Sequence, residues 1–371
     1  MFKSVPITLI TGYLGSGKTT LLNNILNNKD NLKIAVIVND IGEVNIDASL
    51  IEKGGVVNSK DESLVPLQNG CICCNLKTDL LNQINDLLEM KKFDHIIIEA
   101  SGICEPIPIA QTLQAVEDAY LQYKMPRLCY LDSIISVVDA KRLSAEFNDG
   151  ESLTKENIED DDLEKLVIQQ IEFCNTIILN KIDEVSKDEL NKIKTIIKAL
   201  QPNANIIETN YSKVDLKEIL DTHKFSFEKA ATSSGWYEAL ENEEDEDESG
   251  EVLEYGISTF VYERRKPFNR EKFVNFVENF PKGVIRSKGI LYFDEDERMS
   301  FMFESSGVLK DLYEAGLWLI EEEPSFQKEV LAQNPDLQKD WDPEYGDKMV
   351  KLVFIGQHMD KESIIKELDQ I

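Results

Sequence analysis

Gly12-Tyr13-Leu14-Gly15-Ser16-Gly17-Lys18-Thr19 follows directly on the apolar run Ile7–Thr11. The pattern G-x4-G-K-[ST] is a phosphate-binding loop. Its glycines let the chain curl until successive backbone N–H groups point into one concavity that holds phosphates. Lys18 supplies a point charge to the β- and γ-phosphates, and the Thr19 hydroxyl supplies a ligand for Mg2+. Thr20 completes the nucleotide-binding stretch. The flanks agree with this reading. Ile7, Leu9 and Ile10 with β-branched Thr8 and Thr11 make a strand. Leu21, Leu22, Ile25 and Leu26 recur at helical spacing, until Asn27, Asn28 and Asp30 end the helix.

Outward from the loop, short apolar runs alternate with helical stretches as far as residue 220. Lys33–Val38, Asp94–Ala100, Ile134–Val138, Thr176–Leu179 and Asn205–Glu208 read as strands, and Leu76–Met90, Leu163–Glu172 and Lys187–Leu200 as helices. Apolar strands separated by helices predict a parallel sheet covered on both faces. The fold class is therefore α/β, a doubly wound, mainly parallel P-loop NTPase sheet. Residues 241–254 then carry nine acidic side chains and no basic one, which reads as a self-repelling linker. Beyond it the pattern changes. Gly256–Tyr262 and Lys351–Ile355 read as strands, Arg270–Glu278 and Lys361–Leu368 as helices. Gly289–Phe293 and Met299–Glu304 form a hairpin about a turn at Asp294–Arg298. This predicts a smaller α+β domain with a largely antiparallel sheet. The expected division is a nucleotide-binding domain at 1–225, an acidic linker at 226–255 and the α+β domain at 256–371.

Composition excludes some partners. The 371 residues carry 40 basic and 69 acidic side chains, a net charge of −29. That argues against nucleic acid, which needs a basic footprint. No apolar stretch reaches the length of a membrane span. The N-terminus enters the first strand at once, leaving no room for a signal peptide. Six cysteines, three of them clustered, suit a reducing cytoplasm better than a disulfide framework.

Asn180-Lys181-Ile182-Asp183 follows the strand Thr176–Leu179 and names the base. An Asp carboxylate accepts from both N1–H and N2–H2 of guanine, a bidentate pair that adenine cannot offer. Asn180 and the Lys181 stem brace the base and the loop. GTP is thus preferred to ATP, and a P-loop kinase is disfavoured. Ile96–Gly102 reads I-I-I-E-A-S-G. Glu99, at the end of a buried strand, is placed to hold Mg2+ through water or to orient the attacking water. The Gly102 N–H can sense the γ-phosphate.

Asn69-Gly70-Cys71-Ile72-Cys73-Cys74 is the second decisive stretch. A dense thiolate cluster suits Zn2+. Three ligands in four residues leave a tetrahedral ion one position short, which suits a site that gives its metal away. Glu43, in the loop Asn39–Asp47, is the better candidate for a fourth ligand. His95 begins the strand that ends at Glu99, so it lies too far away and reads as structural. Cys104 follows the Glu99 loop and is placed near the nucleotide, while Cys129 and Cys174 read as core residues.

On these residues the chain resembles the CobW-type metallochaperone GTPases, P-loop proteins related to the hydrogenase and urease nickel-insertion GTPases. The stretches carrying the likeness are G-Y-L-G-S-G-K-T at 12–19, N-D-I-G-E-V at 39–44, N-G-C-I-C-C at 69–74, E-A-S-G at 99–102 and N-K-I-D at 180–183. R-S-K-G-I-L-Y at 286–292 and K-L-V-F-I-G at 351–356 extend it to the second domain. The resemblance implies GTP hydrolysis coupled to metal handling, most often of zinc, for a client metalloprotein. It implies Cys71, Cys73 and Cys74 as metal ligands, Lys18 and Thr19 as phosphate and Mg2+ contacts, and Asn180 and Asp183 as guanine contacts. Two departures stand out. Val65-Pro66-Leu67-Gln68 lacks the Glu that many members carry before N-G-C, and the acidic linker lacks the His-rich segment of many bacterial members, which argues against metal storage. Two alternatives remain: a cobalt or iron insertion GTPase, of the nitrile-hydratase-activator or cobalamin-related type, and a low-turnover module sensing zinc or redox state. The oligomeric state is open, a homodimer included.

Overall fold

The computed structural model describes residues 4–27, 32–38, 64–66, 77–147, 158–232, 234–235, 237, 255–307, 309–334, 337–338 and 341–371. The chain divides into two compact units, with a boundary between Ser234 and Gly235.

The first unit is built on seven strands: β1 (Val5–Thr11), β2 (Ile34–Val38), β3 (Leu64–Pro66), β4 (His95–Glu99), β5 (Cys129–Asp139), β6 (Thr176–Asn180) and β7 (Asn205–Glu208). Their spatial order is β3-β2-β4-β1-β5-β6-β7, and every pairing is parallel. β1, β2, β4 and β6 are buried along almost their whole length, which is why they read as unbroken apolar runs rather than alternating ones. Ile10, Val36, Ile97, Val137 and Ile178 from five of these strands pack with Leu21, Leu22 and Ile25 of the helix Lys18–Leu26. The predicted α/β sheet is therefore present.

Three differences from the sequence reading have physical causes. β5 starts at Cys129, not Ile134. Asp132 interrupts the apolar pattern, yet it is fully buried because its two carboxylate oxygens accept from the backbone N–H groups of Thr222 and His223. The short β3 was not expected, since it holds Pro66. Lying at the sheet edge, it tolerates a residue without an N–H. The helix Pro106–Gln122 was hidden by its prolines, which are acceptable in a first turn where the amides have no helical partner.

The chain stays with the first unit beyond residue 225. Phe227, on the helix Phe227–Thr232, meets Phe173 edge to face, with ring centroids 5.9 Å apart.

The second unit is a five-stranded antiparallel sheet of β8 (Ile257–Arg264), β9 (Val284–Phe293), β10 (Asp296–Ser306), β11 (Leu309–Leu317) and β12 (Val350–Gln357), in the order β11-β10-β9-β12-β8. The helices Arg270–Glu278 and Lys361–Leu368 add Phe273, Phe276, Ile364 and Leu368 to a core with Phe293, Phe303 and Phe354. This is the expected α+β domain with one extra strand. β11 escaped notice because this edge strand buries none of its residues and shows no period-2 alternation.

Candidate functional site

The loop after β1 leaves the sheet where the strand order reverses. β1 lies between β4 and β5, and the chain connects leftward to β2 and later rightward to β5. In open α/β sheets this crevice at the carboxyl ends of the strands is where ligands bind. Gly17, the last residue before the helix, has φ +114°, and a side chain there would collide with Asn180 and Ser212. The helix Lys18–Leu26 has no side-chain cap at its N-terminus. The positive end of its dipole therefore lies at the phosphate loop, where it favours an anion. Lys18 is 7% exposed, and its ammonium donates to the carbonyls of Gly12 (2.8 Å) and Tyr13 (3.2 Å). The loop thus holds its own lysine over the concavity. Leu14 and Gly15 lie on the exposed crest, and Thr19 is half-buried on the first helical turn.

Glu99 ends β4, 1% exposed and in register with Ile10 of β1. It does not face solvent. A carboxylate this deep needs a cation or donors around it. The Glu99 carboxylate and the Thr19 hydroxyl are both hard oxygen donors, the chemistry that suits Mg2+. Gly102 packs on the phosphate loop itself: a Cβ there would lie 2.8 Å from the Leu14 nitrogen, so no larger residue fits without moving the loop.

The N-K-I-D segment is tied to the phosphate loop. Asn180 donates from Nδ2 to the Ser16 carbonyl (2.8 Å) and accepts at Oδ1 from the Ser212 N–H (2.9 Å). Ser212 Oγ donates to the Gly17 carbonyl (3.1 Å). Lys181 adopts left-handed backbone, φ 59° and ψ 36°, and pairs with Asp139 at 2.5 Å. The Asp183 N–H donates to Asn210 Oδ1 (3.1 Å), and its side chain is exposed. Sequence reasoning missed Asp139, Arg142 and the segment Asn210–Ser212. Asn24 holds that segment by donating to the Tyr211 (2.8 Å) and Ser212 (3.0 Å) carbonyls. Arg142 stacks its guanidinium 3.9 Å from the Tyr13 ring centroid. One signal was available: T-N-Y-S-K at 209–213 is a polar stretch at the end of a parallel strand, where every other loop of this site lies.

Residues 6–208 match the family described as "CobW/HypB/UreG, nucleotide-binding domain", and residues 257–371 match "Cobalamin synthesis protein cobW C-terminal domain". The chain belongs to the CobW/HypB/UreG family. Among CobW-family relatives it is 37% identical over 380 residues to zinc-regulated GTPase metalloprotein activator 1 of Dictyostelium discoideum, covering 98% of this chain and 79% of the relative. It is 28% identical over 374 residues to the zinc chaperone YjiA of Escherichia coli, covering 97% and 96%. A crystal structure of Zn(II)-bound YjiA GTPase from E. coli aligns over 99% of both chains with TM-score 0.44 and 20% identity.

For the CobW-type metal site, Cys71, Cys73, Cys74 and Glu43 lie outside the described residues. Cys104, Cys129 and Cys174 are buried and form no disulfide among the described residues. His95 is 2% exposed and bonds through Nε2 to Thr8 Oγ1 (2.8 Å), a structural role at the far end of β4. Among the described residues, Asp132, Asp221 and His223 place ligand atoms within 4.8 Å of one another. The Asp132 carboxylate is already spent on backbone amides, so this cluster is a turn clasp. No helix among the described residues is long and apolar enough to cross a membrane.

Proposed function

We propose that this protein binds and hydrolyses GTP and uses that cycle to hand zinc to a client metalloprotein. The observation that carries the reading is Asn180, which joins the base-recognition segment to the carbonyl of Ser16 in the phosphate loop. Base and phosphate are then read by one connected structure. Names of relatives support the metal: they are zinc chaperones and zinc-regulated activators.

In this reading Asp183 selects guanine. Lys18, the loop amides and the N-terminus of the helix Lys18–Leu26 hold the phosphates, and Thr19 and Glu99 are the residues that would hold Mg2+. Bound there, Mg2+ would neutralise charge on the β- and γ-phosphates. Glu99 orients the attacking water, and Gly102 senses the γ-phosphate through the loop it touches. Cys71, Cys73 and Cys74 hold zinc, with Glu43 as fourth ligand. The ion is cargo, bound tightly in the GTP state and released after hydrolysis. The thiolates require a reducing compartment, which we take to be the cytoplasm, and a homodimer is compatible with the scheme.

Linkage supplies the test. If GTP raises zinc affinity by some factor, zinc must raise GTP affinity by the same factor. Zinc affinity should therefore be higher with a non-hydrolysable GTP analogue than with GDP. Equal affinities sink the coupling. Lys18→Ala should lose nucleotide and Cys73→Ser should keep it. Metal competition on the GTP-bound protein, zinc against cobalt and iron, checks the cargo.

A further inference from the structure

Asp139 ends β5 and lies directly beside Asn180 in the register of β5 with β6. Its two oxygens have separate tasks. Oδ1 accepts from the Arg142 N–H (3.1 Å), which caps the helix Ala140–Phe147. Oδ2 accepts from Lys181 Nζ at 2.5 Å. The side chains of Lys181 and Asp139 are only 32% and 14% exposed, so this pair is less screened than a surface one. Two residues on, the helix Ala140–Phe147 makes a second pair: Lys141 Nζ meets Glu184 Oε2 at 2.9 Å, with both groups exposed. The two pairs bracket Ile182 and Asp183.

Lys181 is the residue that needs bracketing. A non-glycine residue in left-handed backbone is strained by its Cβ against the following carbonyl, and Lys181 sits there at φ 59°. The conformation turns the chain from β6 into the short helical turn Ile182–Glu184, closed by the Glu184 N–H donating to the Lys181 carbonyl (3.0 Å). The direction of that turn sets where the Asp183 carboxylate points. We infer that Asp139 is a positioning residue for base selectivity: it holds Lys181 in its left-handed conformation so that Asp183 faces guanine. This rests on the proposed reading that Asp183 reads the base. It goes beyond that reading, because Asp139 lies 42 residues before Lys181 and outside the N-K-I-D stretch.

The two oxygens make the idea separable from a structural role. Asn caps a helix about as well as Asp, so Asp139→Asn keeps the acceptor for Arg142 and removes the charge that faces Lys181. GTP and ATP affinities are measured on the full-length wild type and on this variant, with the melting temperature as a control. The expected result is an unchanged melting temperature, unchanged ATP affinity and about a tenfold loss in GTP affinity, equivalent to about 1.4 kcal/mol. The GTP-over-ATP ratio then falls about tenfold. ITP, which lacks the 2-amino group, should suffer less than GTP. If Asp139→Asn fails to fold, Lys181→Met keeps the apolar stem, removes the charge and should lower the ratio alike. In a foldable double variant the two losses should not add. A variant that keeps the full GTP-over-ATP ratio overturns the proposal, as does one that loses GTP and ATP equally. A wild type without preference for GTP overturns the reading of Asp183 itself, so the two failures are distinguishable.

Discussion

Asn180 and Ser16 are 164 residues apart and are joined by one 2.8 Å hydrogen bond from Asn180 Nδ2 to the Ser16 carbonyl. The same amide accepts from the Ser212 N–H, so three loops meet on a single 2%-exposed side chain. Its partners are two backbone groups buried with it, and neither can turn to water.

Asn180→Ala should therefore cost more than two ordinary hydrogen bonds. Leaving a buried carbonyl and a buried N–H unmet costs about 1–3 kcal/mol each. We expect a clear drop in the melting temperature of the first unit and at least a tenfold loss of GTP affinity. Thermal denaturation with and without GTP measures both. A variant that melts like the wild type would show that the contact is not needed to hold the loop.

Gly102→Ala should act on the phosphate loop with little effect on the core. The new methyl would lie 2.8 Å from the Leu14 nitrogen and 3.1 Å from its Cα. Overpacking of this kind costs about 1–3 kcal/mol, expressed here as displacement of the loop crest. GTP affinity and hydrolysis rate should fall about five- to a hundredfold while the melting temperature moves little. Titration with a fluorescent GTP analogue and a phosphate-release assay give the two readings.

The cysteines should divide by reactivity. Cys104, Cys129 and Cys174 are at most 3% exposed. Burial pushes the Cys129 thiol up to about 11 and raises Cys174 as well. Thiolate is the reactive form, so these three should resist alkylation in the native protein near neutral pH. Cys71, Cys73 and Cys74 should be the labelled ones, and zinc with a GTP analogue should protect them. Mass spectrometry of peptides after iodoacetamide treatment reads this directly. Zinc that leaves their labelling unchanged would remove them as ligands.

Acid should weaken the second unit through Asp369. The Arg264 guanidinium, with Nε on Oδ1 (2.8 Å) and Nη2 on Oδ2 (3.1 Å), holds this carboxyl below its usual range, and the Tyr262 hydroxyl donates to it as well. A folded-state value below the unfolded one contributes stability above the unfolded value of about 3.9, lost as pH falls through the folded value. Asp369 is 42% exposed, so solvent screening keeps the contribution under about 1 kcal/mol. Asp369→Asn should lower the melting temperature slightly near pH 7, with the gap to wild type closing below about pH 4. A gap that persists in acid would assign the loss to packing.

Most of the fold was legible because a parallel sheet buried on both faces writes its strands as apolar runs. It failed where a polar residue had a distant partner, as Asp132 has in the turn at Thr222 and His223, and where a strand lay at an edge, as β3 and β11 do. The site divided in the same way. Gly12–Thr19, Glu99, Gly102 and Asn180–Asp183 could be proposed from the sequence, since each stretch holds its candidate chemistry within a few consecutive residues. Asp139, Arg142 and Asn210–Ser212 were not, since each acts on a residue of another loop.

The sequence alone carried the expectation of a nucleoside triphosphate at Gly12–Thr19, of guanine at Asn180–Asp183 and of a three-thiolate metal site at Cys71–Cys74. Backbone curvature and the spacing of donors within a loop are local properties. Tertiary structure decided how the loops hold one another. The carboxyl ends of β1, β5, β6 and β7 lie side by side only after parallel pairing, and the bonds that then form span 32 residues, from Ser212 to Asn180, up to 195, from Ser212 to Gly17. No local pattern can encode contacts of that reach. They depend on the order of the strands.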